Sequence, residues 1–549
     1  MVVIIALVFI LTFLSGTFSL NVLIVSIGAA GHVIPLFELA KGMHNHNVTF
    51  VTEAQAQPYI NVESHPNISS LHLIYLNNSM DTLAMHTKKM QEFVNYAINH
   101  SSFDNFAYVI TEVSDSISGL MNKTVHLVME EQYDVIVGTT LTVGMHALCN
   151  DANIPCVMQL AEKDPNMFDV NLPYSYSLLS GEQLSTFKYR IYNVAFTIRM
   201  IASVFTKLIS LLSTLIQSLP QVPGPFYETF TLKNILLTKS KCLTLYSVPP
   251  TLYLPSDLSH SSKYLGAFID ESSIKNPDNE LTRWIESRPE KSIIYVAFGS
   301  VGIVNMDRMK SLIYGLAEFL LQTDSSSILL AFRNKNVEYY KTVLTEITNE
   351  KYRNILMDKQ RVRIENQFIQ QKWILQQNSV HFFISHCGMG STVEALFFQK
   401  PILCLPLCLD QFANAIAIEH SGAGESLFQR PSILRSFQNP VAYHEYTFTT
   451  TDVTTKLKTM WRNETYEETV RIMSLEMKHA GGVTQAVKEI ELFVSLKGDL
   501  SRYAPFRSTL PFYQRYMIDL MIIYIILPML IVVYLFKRCC KRTQKQKMD

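Results

Sequence analysis

Residues 381–394 read HFFISHCGMGSTVE. The first five residues predict a buried strand, which delivers His386 to a turn that contains Gly388 and Gly390. A helical pattern follows at once. Exposed amides at the N-terminus of a helix, with an imidazole beside them, suit a pyrophosphate group. Glu394 is expected about one turn into this helix, where a carboxylate can accept hydrogen bonds from a ribose.

A second apolar run, at residues 401–405, leads to Asp410 and Gln411. Because the carboxyl ends of parallel strands meet at one edge of a sheet, we expect these two side chains near the glycine turn. A carboxylate and an amide together suit a ligand that carries several hydroxyl groups. The stretch therefore predicts a site for a phosphorylated polyol.

The chain has two halves that begin alike. Residues 22–26 lead through a glycine-containing turn at 28–31 into a helical pattern, and residues 293–298 lead through Gly299 and Ser300 into another. Strand, glycine turn and helix is the opening of a doubly wound α/β domain. Further apolar runs at 47–51, 134–137 and 327–332 indicate parallel sheets. We expect two α/β domains, at residues 20–250 and 291–510, joined by a proline-rich linker at 251–290.

The composition excludes several classes of protein. Of the 549 residues, 48% are hydrophobic and 17% are charged, so the chain is not disordered. The 47 basic and 47 acidic residues balance, and nothing indicates a nucleic-acid partner. Eight cysteines are too few for a disulfide scaffold. Cys387, Cys404 and Cys408 lack metal-type spacing, and we expect buried thiols there.

The two ends of the chain predict membrane targeting. Residues 1–19 resemble a secretory signal peptide, although a membrane anchor or a buried first strand would look similar. Residues 518–536 are apolar enough to span a bilayer as a helix, and the basic tail 537–549 is expected to stay cytosolic. The chain is therefore predicted to be a single-pass type I protein with both large domains in the lumen.

The tail carries two further signals. Lys545 and Lys547 lie fifth and third from the end, a spacing that resembles the dilysine retrieval signal of the endoplasmic reticulum membrane. An ordinary stop-transfer cluster is the alternative. Cys539 and Cys540 are candidates for palmitoylation. Candidate N-glycosylation sites are Asn67, Asn77, Asn99, Asn122 and Asn463, while Asn47 also lies in a sequon but is expected on a buried strand.

Taken together, these motifs resemble the nucleotide-sugar signature of the UDP-glycosyltransferase family, which includes the UDP-glucuronosyltransferases. The likeness extends over nearly the whole chain: Gly31 and His32 match the acceptor motif, and residues 298–300 match a loop of the second domain. Residues 512–519, followed by the apolar span, resemble the membrane-bound branch. The resemblance implies a GT-B fold, in which two Rossmann-like domains face a cleft.

The resemblance also implies roles for individual residues. His32 would be the general base that removes the acceptor proton, which gives transfer with inversion. Trp373 would stack on uracil, Gln376 and Glu394 would meet the ribose, and Asp410 with Gln411 would hold sugar hydroxyls. The remaining donor-binding residues would be Gly299, Ser300, Arg333, His386, Gly388, Gly390 and Ser391. The chain contains no Asp-x-Asp, so no metal and no cofactor are expected beyond the UDP-sugar co-substrate.

Three positions depart from the family pattern. Thr139 stands where the family has an aspartate that orients the base and stabilises its protonated form. The interval from Trp373 to His386 is several residues short. Ser256 replaces an arginine thought to meet the carboxylate of glucuronic acid, which favours a neutral hexose such as glucose and leaves glucuronic acid open.

The predicted function is hexose transfer from a UDP-sugar to a hydroxyl of a small lipophilic acceptor. Because Thr139 cannot neutralise an imidazolium, the alternative is a catalytically impaired member that binds nucleotide-sugar or lipid as a partner subunit. An incomplete glycine fingerprint argues against a Rossmann oxidoreductase. The sequence determines neither the acceptor nor whether the chain forms a homo-oligomer.

Overall fold

The computed structural model describes residues 19–60, 70–76, 117–139, 144–161, 177–199, 242–253, 259–299, 302–333, 335–367, 369–408, 410–438 and 442–545, with positions 92, 96, 142, 202, 226 and 229. The predicted signal peptide lies outside these residues except for Ser19. Three sequon asparagines and two site residues also lie outside them, namely Asn67, Asn77, Asn99, Ser256 and Ser300.

The first half is built on a parallel sheet with the strand order β3-β2-β1-β4-β5-β6-β7. The strands are β1 (Asn21–Val25), β2 (Asn47–Glu53), β3 (Leu71–Leu76), β4 (Val135–Gly138), β5 (Cys156–Leu160), β6 (Leu243–Tyr246) and β7 (Ser262–Tyr264). Val22 of β1 pairs with Val48 on one side and with Val135 on the other. Because helices cover both faces, the central strands are apolar throughout instead of alternating.

The second half repeats this plan with the order β10-β9-β8-β11-β12-β13, also parallel. Its strands are β8 (Ile293–Ala297), β9 (Ser327–Ala331), β10 (Val362–Glu365), β11 (Val380–Ser385), β12 (Ile402–Cys404) and β13 (Gly424–Ser426). Both sheets follow the doubly wound order: strands are added first on one side of β1 or β8, and then on the other side, starting with β4 or β11. The prediction of two Rossmann-like domains is therefore confirmed. Ligands are expected beyond the β1–β4 and β8–β11 strand ends.

The helices connect and cover these strands. In chain order they are α1 (Ala30–Gly42), α2 (Met145–Asp151), α3 (Gly181–Leu184), α4 (Glu280–Glu286), α5 (Met306–Leu321), α6 (Lys335–Glu346), α7 (Glu350–Met357), α8 (Gln371–Gln376), α9 (Met389–Phe397), α10 (Gln411–Ser421), α11 (Ile433–Gln438), α12 (Thr450–Arg462), α13 (Thr465–His479) and α14 (Gly482–Ser495). Residues 117–130 and 187–199 are helical too.

The segment predicted as a linker, residues 251–290, contains regular structure. Its strand β7 pairs with β6 and extends the first sheet. Its helix α4 is capped by Asn279, whose Oδ1 accepts from Thr282 N at 2.9 Å, and buries Ile285 in the core of the second half. Helix α14 belongs to the second half by sequence, yet it packs against α1 of the first half. The chain thus crosses between the halves twice.

Two of the candidate glycosylation sites are described, and they differ in accessibility. The side-chain oxygen of Asn122 is buried within the helical residues 117–130. Asn463 lies in the turn between α12 and α13, where its Oδ1 accepts a hydrogen bond from Thr465 N at 3.1 Å. Asn47 was expected on a buried strand; it is the exposed first residue of β2, and the rest of that strand is buried.

Residues 499–549 form a second compact unit with residues 258–261. Among the described residues, one helix, Ile518–Arg538, is long and apolar enough to cross a membrane, with a mean hydropathy of 2.6. A π turn at Ile522–Ile526 precedes Pro528, which lacks the N–H that an α-helix requires. The position agrees with the predicted span at 518–536.

Candidate functional site

The strand ends of the two sheets line one cleft with a cavity of about 520 Å³. The first half contributes the N-terminal part of α1, and the second half contributes the loops after β8, β9 and β11 together with α8 and α9. Eight residues that the sequence predicted for donor binding line this cavity: Gly299, Arg333, Trp373, His386, Gly388, Gly390, Ser391 and Glu394.

The turn after β11 holds His386 between two glycines. A Cβ built on Gly299 would lie 2.8 Å from Cε1 of His386, and one built on Gly388 would lie 2.5 Å from its Nε2. Any larger residue at either position would therefore displace the imidazole. Burial without a charged partner lowers the pKa of His386 to about 4. The ring is neutral at pH 7, and its buried Nδ1 has no hydrogen-bond partner among the described residues.

Helix α9 begins directly after this turn, with Gly388 at its N-cap. Because no side chain caps the helix, the first backbone N–H groups remain available to a ligand. A helix N-terminus with free amides favours an anion such as a diphosphate. The neutral imidazole of His386 adds one polar group beside these amides.

A pair of polar side chains faces the cleft beyond this turn. Gln371 Nε2 donates to Glu394 Oε2 at 2.7 Å and to Ser391 Oγ at 3.2 Å. The Tyr295 hydroxyl donates to Gln371 Oε1 at 3.3 Å. Burial raises the pKa of Glu394, and the nearby Lys372 ammonium and the Gln371 amide oppose this rise. This carboxylate and amide form a small hydrogen-bonding platform one turn into α9.

The sequence assigned the ribose to Gln376, but the structure places Gln371 beside Glu394. Gln376 is the exposed last residue of α8 and does not line the cavity. Trp373 is 5% exposed and packs into the core of the second half, with one edge on the cavity. If the family motif is aligned five residues earlier, so that Gln371 takes the place given to Gln376, the interval between the motif and His386 becomes five residues longer. Phe368 would then take the place given to Trp373, and it lies outside the described residues.

The two glutamines give a matched test of this register. If ribose binds at this platform, Gln371→Ala is expected to weaken UDP binding about 3- to 10-fold, because it removes one neutral hydrogen-bonding group. Gln376→Ala is expected to leave the affinity unchanged, since its side chain points to solvent at the helix end. Titration calorimetry with UDP measures both variants. A loss with Gln376→Ala and none with Gln371→Ala would restore the original assignment.

Asp410 and Gln411 do not line the cavity and are engaged with their own turn. Gln411 Oε1 accepts from the backbone N–H groups of Leu407 at 2.8 Å and Cys408 at 3.1 Å. Asp410 Oδ2 accepts from Asn414 Nδ2 at 2.7 Å, and burial raises the pKa of Asp410. Their predicted contacts with sugar hydroxyls stay a prediction.

Asn414, which the sequence does not single out, links two turns next to the cleft. Its Nδ2 also donates to the Cys387 carbonyl at 2.9 Å, and its Oδ1 accepts from the Tyr253 hydroxyl. It thus ties the Asp410 turn to the glycine turn and to the segment between the domains. Its spacing of four residues from Asp410, one helical turn, is the signal that could have found it.

Cys387 and Cys404 form a disulfide, with their Cα atoms 5.5 Å apart. The expectation of buried thiols is wrong for these two, because Cys404 ends β12, Cys387 lies two residues beyond the end of the neighbouring strand β11, and the two therefore meet. Cys408 is a buried free thiol, as expected. Cys387 lies between His386 and Gly388 with φ of 59°, so the bridge fixes the glycine turn to the adjacent strand.

Removal of this disulfide is expected to destabilise the second half. Closing a loop of this length stabilises a fold by about 3 kcal/mol, so Cys404→Ser should lower the free energy of unfolding by about that amount. Urea unfolding of the detergent-solubilised protein measures the change, with Cys408→Ser as the control that removes a buried thiol only. Equal effects of the two variants would mean that the bridge does not form.

On the other side of the cleft, His32 lies in the first turn of α1. It is partly accessible, and its neighbours Ala30 and Gly31 line the cavity, whereas His32 is not among the lining residues described. Burial lowers the pKa of His32 to about 4, and none of the described carboxylates raises it. Thr139, 1% exposed, directly follows the strand β4, which pairs with β1.

Apolar side chains line the first half of the cleft. Ile34, Pro35 and Phe37 come from α1, and Phe268 and Ile269 come from the segment after β7. This wall can bury an apolar molecule next to the Gln371–Glu394 platform. Across the described ranges, no group of three or more His, Cys, Asp or Glu side chains is placed to hold a metal ion.

Comparison with known proteins identifies a family whose model matches most of the chain. The model of the family described as UDP-glucoronosyl and UDP-glucosyl transferase matches residues 42–548. The chain is 33% identical over 181 residues to UDP-glycosyltransferase stmC of Aspergillus ustus, a match that covers 32% of this chain and 33% of that protein. It is 28% identical over 173 residues to cyanidin-3-O-glucoside 2-O-glucuronosyltransferase of Bellis perennis, covering 31% and 36%. These matches span about a third of each relative's length.

The fold is also that of solved glycosyltransferases. The structure of Phytolacca americana UGT2 with UDP-2fluoro-glucose and pterostilbene superposes with a TM-score of 0.54 at 14% identity, covering 87% of this chain and 100% of that one. The glycotransferase of kitacinnamycin gives a TM-score of 0.53 at 16% identity, covering 89% and 100%. At these identities the likeness concerns the fold alone, which is GT-B.

Proposed function

The chain belongs to the UDP-glucoronosyl and UDP-glucosyl transferase family, an enzyme family that transfers sugar from a UDP-sugar to an acceptor, and on that premise we propose an inverting, metal-independent hexosyltransferase for small lipophilic alcohols. The observation that carries the proposal is the placement of an uncapped helix N-terminus, a neutral imidazole and the Gln371–Glu394 platform along one wall of a single cleft. The helix N-terminus and the imidazole suit a diphosphate, and the neighbouring carboxylate and amide suit a ribose.

The proposed reaction uses His32 as general base. Its neutral imidazole accepts the proton of the acceptor hydroxyl while that oxygen attacks the anomeric carbon and the bond to UDP breaks. The amides at the start of α9 and the imidazole of His386 stabilise the charge that develops on the leaving diphosphate. These groups take the part that Mg²⁺ plays in metal-dependent transferases.

The acceptor class is inferred from the lining of the cleft. Ile34, Phe37 and Phe268 present apolar surface on the side of His32. Burial of an apolar ligand on such a wall contributes about 25 cal/mol per Å² of surface removed from water. The related Phytolacca structure holds pterostilbene together with UDP-2fluoro-glucose, and this supports a small organic acceptor in the same cleft.

Glucose is the favoured sugar, with glucuronic acid as the alternative. A carboxylate is recognised most strongly by a bidentate arginine, and this chain has Ser256 where glucuronosyltransferases carry one. Full-length protein in membranes, given UDP-glucose, UDP-glucuronate and UDP-N-acetylglucosamine in parallel with mixed phenols and sterols, should release UDP fastest from UDP-glucose. Preference for UDP-glucuronate would contradict the inference from Ser256.

For location, we infer a membrane-anchored protein of the endoplasmic reticulum with the cleft in the lumen. The apolar helix Ile518–Arg538 is followed by a basic tail, and basic flanks favour the cytosolic side. The Cys387–Cys404 disulfide supports the lumenal side independently, because disulfides persist in oxidising compartments.

A second candidate, a catalytically impaired member that binds nucleotide-sugar or lipid as a partner subunit, is favoured by the surroundings of His32. Because burial alone sets the pKa of His32, no described carboxylate stabilises its protonated form. A base with a pKa of about 4 is neutral at pH 7, yet it accepts a proton weakly. Binding of UDP with no turnover of any donor would support this candidate.

The pH profile separates the two candidates. For an active enzyme, kcat/KM should rise as pH increases through about 4, where His32 loses its proton, and should be flat above that range. Thr139→Asp should raise the pKa of His32, because a carboxylate nearby favours the charged form of an imidazole, and should move the acid limb to higher pH. A limb that does not move would show that residue 139 does not act on the base.

A further inference from the structure

An ion pair joins the two halves across the cleft. Lys372 of α8 donates from Nζ to Glu38 Oε1 of α1 at 2.7 Å. Lys41, one turn further along α1, holds the other oxygen of Glu38 at 2.8 Å. The side chains of Glu38 and Lys41 are 7% and 9% exposed, and that of Lys372 is 21% exposed. One carboxylate of the first half is thus shared between two cations, one from each half.

This pair lies directly beside the ribose platform. Lys372 follows Gln371 in the chain, and Lys372, Glu38 and Glu394 all line the same cavity. The charges of Glu38 and Glu394 raise the pKa of Lys372 against the effect of its burial. A buried ammonium between two carboxylates is held in place strongly, since removing either partner leaves an uncompensated charge.

We propose that Glu38 and Lys372 form an interdomain clamp that positions α8, and with it Gln371, for binding the nucleotide of the donor. This inference rests on the proposed function in assigning the ribose to the Gln371–Glu394 platform. Lys372 is ion-paired with Glu38 and lines the same cavity as Glu394, whose charge acts on it, so the pair ties α1 to α8 next to the platform. Lys372 is in this sense a positioning residue: it acts through its neighbour Gln371.

The clamp is tested by a double-mutant cycle on the full-length protein in detergent. The variants are Lys372→Met, Glu38→Gln and the two combined, each measured for UDP affinity, for kinetic constants and for thermal unfolding. Lys310→Met with Glu346→Gln is the matched control, because that pair, at 3.0 Å, joins exposed residues within the second half. We expect each single cleft variant to weaken UDP binding about 10-fold and to raise KM for the UDP-sugar, with kcat at saturating donor within 2-fold.

Coupling between the two residues is the decisive feature. The combined variant should bind UDP about 10-fold more weakly than the unmodified protein, and not 100-fold. Its unfolding temperature should fall by less than the sum of the two single-variant decreases. Additive losses, or a fall in unfolding temperature without a change in UDP affinity, would overturn the clamp. If the unmodified protein bound no UDP, the proposed function would fail instead, and additivity in the unfolding temperatures would still decide whether the clamp exists.

Discussion

His32→Ala is expected to lower turnover about 10²- to 10⁴-fold, which is the contribution that a positioned general base makes. The imidazole lies in the first turn of α1, next to the two residues of that turn that line the cavity. Because the pKa of His32 is lowered to about 4, the ring is a weak base, but it is neutral over the whole physiological range and its free nitrogen can accept the acceptor proton. An alanine removes that acceptor and leaves the donor half of the cleft intact.

Two controls make this result specific. UDP affinity should stay the same in His32→Ala, since the nucleotide groups all come from the second half. His44→Ala removes an exposed histidine that follows the same helix and should keep full turnover. If His32→Ala kept full turnover, His32 would not be the base, and another group would have to accept the proton.

Glu394→Ala is expected to weaken UDP binding about 10- to 100-fold. Hydrogen bonds to a charged group contribute about 1.5–3 kcal/mol, and each 1.4 kcal/mol is a factor of ten. The carboxylate also holds Gln371 at 2.7 Å, so its loss releases the second group of the platform. The proposal that ribose binds here predicts that affinity falls for every UDP-sugar alike.

The matched control for this variant is Glu425→Ala. Glu425 is a half-buried carboxylate of the same half, paired with Lys456 at 2.6 Å, and it does not line the cavity. It should affect stability and not UDP affinity, which calorimetry and thermal unfolding report separately. A Glu394→Ala variant that bound UDP as tightly as the unmodified protein would remove Glu394 from the nucleotide site.

Much of the fold follows from apolar runs in the sequence. The runs at 22–26, 293–298 and 381–385 correspond to β1, β8 and β11, the central strands, because strands buried on both faces leave an uninterrupted apolar record. The glycine turns after them also follow from sequence. The three-residue strands β7, β12 and β13 lie toward the ends of their sheets, and of these only β12 falls within an apolar run noted in the sequence.

The sequence predicted which residues line the cleft where a motif is contiguous, but not where the packing of separate elements decides. His386, Gly388, Ser391 and Glu394 share one turn and one helix, so their spacing fixes them. Gln371 and Gln376 are the first and last residues of α8. Only the packing of α8 against α9 shows which of them faces Glu394. The Glu38–Lys372 pair spans 334 positions of the chain and has no signal in the sequence.

The same reason explains the disulfide. Cys387 and Cys404 are 17 residues apart, a spacing typical of no metal site, and their meeting depends on β11 lying beside β12. Sequence reasoning treated each cysteine as part of its own strand. Neighbouring strand ends, and not sequence spacing, bring the two thiols together.

The most direct measurement is a structure of the full-length protein with UDP bound. The diphosphate should lie against the amides that open α9, within hydrogen-bond distance of His386, with the ribose between Gln371 and Glu394. UDP found outside this cleft, or a ribose held at Gln376 on the far end of α8, would contradict the assignment of the donor site.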